Sequence, residues 1–206
     1  MSKLFLTLTG PTCSGKTYLH DALRETYGYS RLVSTTTRPP RPGEVEGREY
    51  QFISKEQSLE MKEEGLFAEW VSFNGTYYGI TNEEMQIKLE LGKPILLILT
   101  PQGVEIYKEY AQHKSIPIKT VFVDTPKKTR IQRLENRFLS SVYYNFDRDA
   151  VAAGIHEYTN RLLNEIPKED AWKDDHNWDL VVSGLNVNDA MQQVYTLVAA
   201  ATNDQH

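Results

Sequence analysis

Residues 6–19 read LTLTGPTCSGKTYL. Leu4 to Thr9 are apolar or β-branched and stop at Gly10–Pro11, which predicts a short buried strand. Lys16 to Tyr27 predict a helix, with Leu19 and Leu23 on one face and Gly28 closing it. Between them, Gly10 to Thr17 spell G-x-x-x-x-G-K-T. Glycines at Gly10 and Gly15 let the backbone turn tightly, so that successive N–H groups converge on an anion. The positive end of the following helix points at the same place. A strand before and a helix after are the context this motif needs. Gly10, Pro11, Thr12, Cys13, Ser14 and Gly15 are therefore expected to wrap nucleotide phosphates. Lys16 is expected to reach the β- and γ-phosphates, and the Thr17 hydroxyl to ligate Mg²⁺.

The bulk composition narrows what such a site could serve. With 206 residues, 40% of them hydrophobic, the chain can bury one core without staples. A net charge of −5 weighs against a nucleic-acid track, which needs broad positive potential. Cys13 is the single cysteine, so no intrachain disulfide forms, which suits a reducing cytoplasm. Cys13 itself reads as an inert loop residue. No stretch approaches a membrane span, and the opening MSKLFLTLTG is too short and polar for a signal peptide. The expectation is a cytoplasmic monomer or homodimer with neither nucleic acid nor membrane as partner.

Further strands are expected at Ile95–Leu99, at Ile118–Val123 and in WDLVVSG (178–184). Helices are expected in KKTRIQRLENRFL (127–139), DRDAVAAGIHEYTNRLLNEI (147–166) and VNDAMQQVYTLVAAA (187–201). Strands alternating with helices predict an α/β protein with a parallel sheet covered on both faces. Leu32 to Thr36 read as one short strand. Pro39, Pro40, Pro42, Gly43 and Gly47 then forbid helix. SKEQSLEMKEEGLF (54–67) reads as a helix capped by Ser54 and closed by Gly65, and AEWVSFNGTYYGI (68–80) as a hairpin about Asn74–Gly75. The polar PKEDAWKDDHN (167–177) reads as a solvated surface loop.

The proline-rich segment carries Arg38 and Arg41, held with little freedom, and is followed by Tyr50 and Tyr78. Arginine matches phosphate bidentately and phenol hydroxyls can donate to the same group, so these residues suit a phosphate monoester. A monoester site beside a triphosphate site implies phosphoryl transfer between nucleotides.

VSTTTRPPRPGEVEGREYQFISKEQ (33–57) and FAEWVSFNGTYYGIT (67–81) closely resemble the nucleotide-binding segment of guanylate kinases, and a weaker resemblance runs almost to the end of the chain. It implies a P-loop fold with a three-layer α/β/α core (1–34, 85–132 and 149–206), an inserted monophosphate-binding lobe (35–84) and a helical lid (133–148). It implies the reaction MgATP + (d)GMP → ADP + (d)GDP. Ser34, Arg38, Arg41, Tyr50, Glu69 and Tyr78 would line the acceptor site, Glu69 taking the N1–H and 2-amino group of guanine. Arg133 would serve ATP, and Arg137 and Arg148 would join Lys16 and Arg38 in stabilising the transferred phosphoryl group.

The sequence departs from the family in the base pocket. Ile80 stands where a Ser or Thr is usual, and Ile98 and Thr100 stand where aspartates are usual. Those changes leave open a modified purine or another deoxynucleoside monophosphate as acceptor. A non-catalytic, protein-binding relative is the rival reading. Such domains typically have a degraded glycine loop, whereas Gly10, Gly15, Lys16 and Thr17 are all present.

Overall fold

The computed structural model describes residues 3–40, 44–48, 50–73, 75–143 and 147–203. In chain order these form β1 (Leu4–Thr9), α1 (Lys16–Tyr27), β2 (Ser30–Arg31), β3 (Ser34–Thr36), β4 (Tyr50–Phe52), α2 (Lys55–Glu63), β5 (Phe67–Phe73), β6 (Thr76–Thr81) and α3 (Asn82–Glu90). There follow β7 (Pro94–Ile98), α4 (Pro101–Lys114), β8 (Ile118–Asp124), α5 (Lys127–Tyr143) and α6 (Arg148–Asn160). A π-helical turn (Arg161–Glu165), α7 (Ile166–Glu169), β9 (Leu180–Ser183) and α8 (Val187–Asn203) complete the chain.

β1 is buried along its whole length because it lies at the centre of a parallel five-stranded sheet, order β2-β7-β1-β8-β9. Its side chains alternate between two apolar clusters. Leu4, Leu6 and Leu8 meet Leu19 and Leu23 of α1 and Val194 and Val198 of α8. Phe5, on the other face, meets Tyr107 and Ala111 of α4. Helices thus cover both faces, as expected of continuous apolar strands.

A second, four-stranded sheet, order β4-β3-β6-β5, is built between β2 and α3. β5 and β6 pair antiparallel across a two-residue connection in which Gly75 takes φ +74°, as an Asn-Gly hairpin requires. Asn74 itself lies outside the described residues. One face of this sheet is sealed by α2: the Trp70 indole N–H donates to Ser58 Oγ (3.0 Å), and Lys62 lies 3.8 Å over the Trp70 ring. Ile80, on the other face, joins the Phe5–Tyr107 cluster of the core and ties the two sheets together.

Two expectations change. Of the strand expected at Leu32–Thr36 only Ser34–Thr36 forms, as β3 of the second sheet, while β2 of the parallel sheet ends before it at Arg31. Leu32 is buried in the core, and the Val33 N–H leaves the ladder to donate to Glu84 Oε1 (2.8 Å), so the chain crosses between sheets there. The stretch 167–177 is mostly exposed, as expected, but it begins as α7 and is anchored to the core rather than being a free connection. Ile166 is fully buried and Glu169 is 6% exposed, Asp170 pairs with Lys127 and Arg130, and Lys173 pairs with Asp124 (2.8 Å). Apolar anchorage of α7 and these ion pairs hold the segment onto the end of β8. α5 and α6 pack through Phe138 and Tyr158, whose ring centres are 5.2 Å apart. No helix among the described residues is long and apolar enough to cross a membrane.

Candidate active site

The turn after β1 is held by close contacts. A Cβ on Gly10 would fall 2.5 Å from the Val123 carbonyl oxygen, and Gly15 takes φ +103°, a conformation that glycine alone adopts at little cost. Cys13 is also left-handed, with φ +61°. The Thr125 hydroxyl donates to the Ser14 carbonyl (2.7 Å). α2, α3, α4 and α6 are capped by the side chains of Ser54, Thr81, Thr100 and Asp147, whereas α1 begins at Gly15 with no side-chain cap. Its first N–H groups are therefore left for an anion. The Lys16 ammonium donates to the carbonyls of Gly10 (2.6 Å) and Pro11 (2.9 Å), and burial pushes its pKa down to about 8. Thr17 is exposed beside it.

Facing this turn is a cavity of about 730 Å³ that the core and the second sheet line together. Gly10, Thr12 and Lys16 contribute from the core; Ser34, Arg38, Tyr50, Glu69, Tyr78 and Ile80 contribute from β3 to β6, and Ile98 and Thr100 from the end of β7. Arg38 donates from both terminal nitrogens to Glu44 (2.6 and 2.7 Å) and lies over the rings of Tyr50 (4.9 Å) and Phe52 (5.8 Å). Tyr50 and Tyr78 stand 6.2 Å apart, centre to centre. The planar guanidinium is backed by aromatic rings, and its two-pronged edge, of the geometry that also matches a phosphate, is taken here by the Glu44 carboxylate. Arg41 lies outside the described residues.

At the other end of the second sheet's cavity face, a β-bulge between Phe67 and Glu69 sets Glu69 directly opposite Ile80. Among the described residues the Glu69 carboxylate accepts no hydrogen bond, and burial raises its pKa to about 7. Ile80 is 2% exposed, and the Thr100 hydroxyl is engaged with the Gly103 N–H (3.2 Å) as the cap of α4.

The structure gathers the arginines differently from the sequence. Arg133 donates to the carbonyls of Cys13 and Ser14 (3.1 Å each) and of Gly184 (2.9 Å), bracing the glycine turn without lining the cavity. Arg137 is exposed and 3.8 Å from Glu157, and Arg148 is exposed at the start of α6; neither lines the cavity. Arg161 does, with Glu165 and Glu169 beside it. Arg161 reaches Thr12 Oγ1 (3.4 Å) and pairs with Glu157 (3.0 Å) and Glu165 (3.5 Å). In the sequence these are i,i+4 pairs of the kind any solvated helix carries, which hides their role.

The family model described as guanylate kinase matches residues 2–201.

The chain belongs to the guanylate kinase family.

Its relatives include the guanylate kinase of Wolinella succinogenes, 41% identical over 130 residues, which is 62% of this chain and 58% of that protein. That of Chlamydia muridarum is 35% identical over 138 residues, 66% of this chain and 64% of its own. The match to these two thus spans roughly three-fifths of their length. The guanylate kinase of Aster yellows witches'-broom phytoplasma matches 96% of this chain and 86% of its own at 28% identity. The fold is shared with the crystal structure of guanylate kinase from Anaplasma phagocytophilum, at a TM-score of 0.65 and 20% identity, over 97% of this chain and 86% of that one. Ile80 and Ile98 line the cavity together with Glu69.

Proposed function

We propose that this protein transfers the γ-phosphoryl group of MgATP to GMP or dGMP. One observation carries the reading: the glycine turn, the Arg38–Tyr50–Tyr78 group and the Glu69 carboxylate open onto the same cavity. The triphosphate would lie on the N-terminus of α1, with Lys16 exchanging its two carbonyl partners for phosphate oxygens. Thr17 offers one hard oxygen to a Mg²⁺ that the phosphates would otherwise surround. Arg38, with Arg41 and the two tyrosines, would hold the acceptor monophosphate in line, Glu44 yielding Arg38 to it. No covalent enzyme intermediate is needed; positioning and charge neutralisation supply the rate. We assign residues 35–84 as the acceptor lobe and 133–148 as the lid. Their closure over the cavity would exclude water and suppress ATP hydrolysis. The lone cysteine fits a cytoplasmic setting.

Glu69 would select guanine, accepting N1–H and the 2-amino group. Adenine would set a lone pair at N1 against the carboxylate and leave it poorly paired. The test is a panel of ribo- and deoxynucleoside monophosphates, each with MgATP. GMP and dGMP should exceed AMP, CMP and UMP by about 10⁴-fold in kcat/KM, the scale of discrimination by buried polar pairing. A panel led by another base would refute the reading.

The same carboxylate predicts a pH dependence. In the free enzyme Glu69 is neutral below about 7 because burial disfavours its charge. Below that pH, kcat/KM for GMP should fall about tenfold per unit. Bound guanine donates to the charged form, so the corresponding limb of kcat should lie at lower pH. Glu69→Gln should abolish the limb and erase the preference for GMP over IMP. The folded-state pKa is above the unfolded one, so the carboxylate destabilises the fold increasingly from about pH 4.5 to 7 and constantly above. Glu69→Gln should accordingly raise the melting temperature more at pH 8 than at pH 5.

A further inference from the structure

Thr12, the third residue of the glycine turn, is held by side chains from a distant part of the chain. Its N–H donates to Glu169 Oε2 (2.7 Å) and its hydroxyl to Glu169 Oε1 (3.0 Å), with Arg161 3.4 Å from the same hydroxyl. Glu169 is 6% exposed although it lies in a stretch of lysine, aspartate and glutamate.

The local sequence explains how it gets there. Pro167 lies two residues beyond the end of the π-helical turn Arg161–Glu165, and proline has no N–H to give the carbonyl four residues back. The helix opens instead: the Ile166 N–H reaches the Arg161 carbonyl, a π-type bond that takes up one extra residue. In an unbroken α-helix, residues eight apart point about 80° away from each other; one extra residue reduces that to about 20°. Arg161 and Glu169 therefore share a face, and that face meets Thr12. Buried Ile166 fixes the register on the core side.

We infer that Glu169 is a positioning residue of the glycine turn, set in register by the π-turn. Lys16 grips the carbonyls of Gly10 and Pro11, and Glu169 grips the next N–H along, so the first peptides of the turn are clamped from both sides. Such a clamp keeps the remaining N–H groups aimed at phosphate before nucleotide arrives. Among the described residues the Glu169 carboxylate hydrogen-bonds Thr12 alone, within the glycine turn.

Glutamine at this position keeps both contacts, its carbonyl accepting from the Thr12 N–H and its amide donating to the Thr12 hydroxyl; alanine keeps neither. The experiment measures affinity for a magnesium-bound, non-hydrolysable ATP analogue by calorimetry, without acceptor, so it stands apart from the identity of the acceptor. Kinetics with GMP then give the KM-against-kcat split. Glu169→Ala should weaken the analogue by about 10-fold or more and raise KM for ATP alongside, the scale of a misaligned binding group. KM for GMP should stay within about twofold, and Glu169→Gln should recover most of the loss. A melting curve reports folding. If the alanine variant does not fold, the glutamine variant decides alone: analogue affinity within about threefold of the parent supports the clamp, and a larger loss overturns it. Tighter analogue binding in both variants would make Glu169 a repulsive gate and overturn the inference, as would equal losses in both or a selective rise in KM for GMP.

Discussion

Lys16→Ala is expected to lower kcat by about a thousandfold or more while leaving the fold intact. The magnitude follows from the loss of a preorganised cation at the point where charge develops, worth about 10²–10³ for one fixed donor and more for a full charge on a phosphoryl group. The fold should survive because the buried amine already strains against its surroundings: burial draws its pKa to about 8, so removing it relieves desolvation. Lys16→Arg should fare little better than alanine, since the ammonium fits between two carbonyls at 2.6 and 2.9 Å and a planar guanidinium does not. Steady-state rates beside melting curves check this; a Lys16→Ala enzyme with parental kcat would remove the glycine turn from the chemistry.

Arg38→Ala should act on the other substrate. Truncating one partner of a partly buried, hydrogen-bonded charge pair costs about 2–5 kcal/mol, roughly a 30-fold to several-thousandfold rise in KM for GMP. KM for ATP should move by no more than about twofold, because Arg38 contacts Glu44 and the Tyr50 and Phe52 rings and nothing in the glycine turn. Arg38→Lys should recover little, the fork being what matches a phosphate edge. Equal rises in both KM values would mean that Arg38 only supports the structure of the second sheet.

The parallel sheet and the glycine turn were legible because their signals are local. Leu4–Thr9 is continuous apolar strand, Gly10 and Gly15 have backbone reasons to be glycine, and the Asn-Gly dipeptide marks its hairpin. Arg38, Arg41 and the two tyrosines read as a phosphate site from residue type alone, whereas Glu69 was legible only through dense resemblance, since by itself it reads as an edge-strand charge until the bulge at Phe67–Glu69 turns it toward the cavity. What stayed hidden was long-range. Glu169 meets Thr12 across 157 residues, and its direction depends on one extra residue in a helical turn that a regular period cannot reveal. The arginines show the same limit. A basic helix face is visible at Arg133 and Arg137, but which cations turn inward is decided by packing, and Arg161 lines the cavity where Arg133, Arg137 and Arg148 do not.

The central claim is that a triphosphate and a monophosphate occupy one cavity at the same time. Calorimetric binding of adenosine and guanosine joined 5′ to 5′ through five phosphates tests it most directly. The account predicts one molecule bound per chain, displacement of both an ATP analogue and GMP, and affinity at least about a hundredfold above either alone, as linked ligands give when both sites are spanned. A compound that displaces only one of the two, or binds no more tightly than ATP, would contradict it.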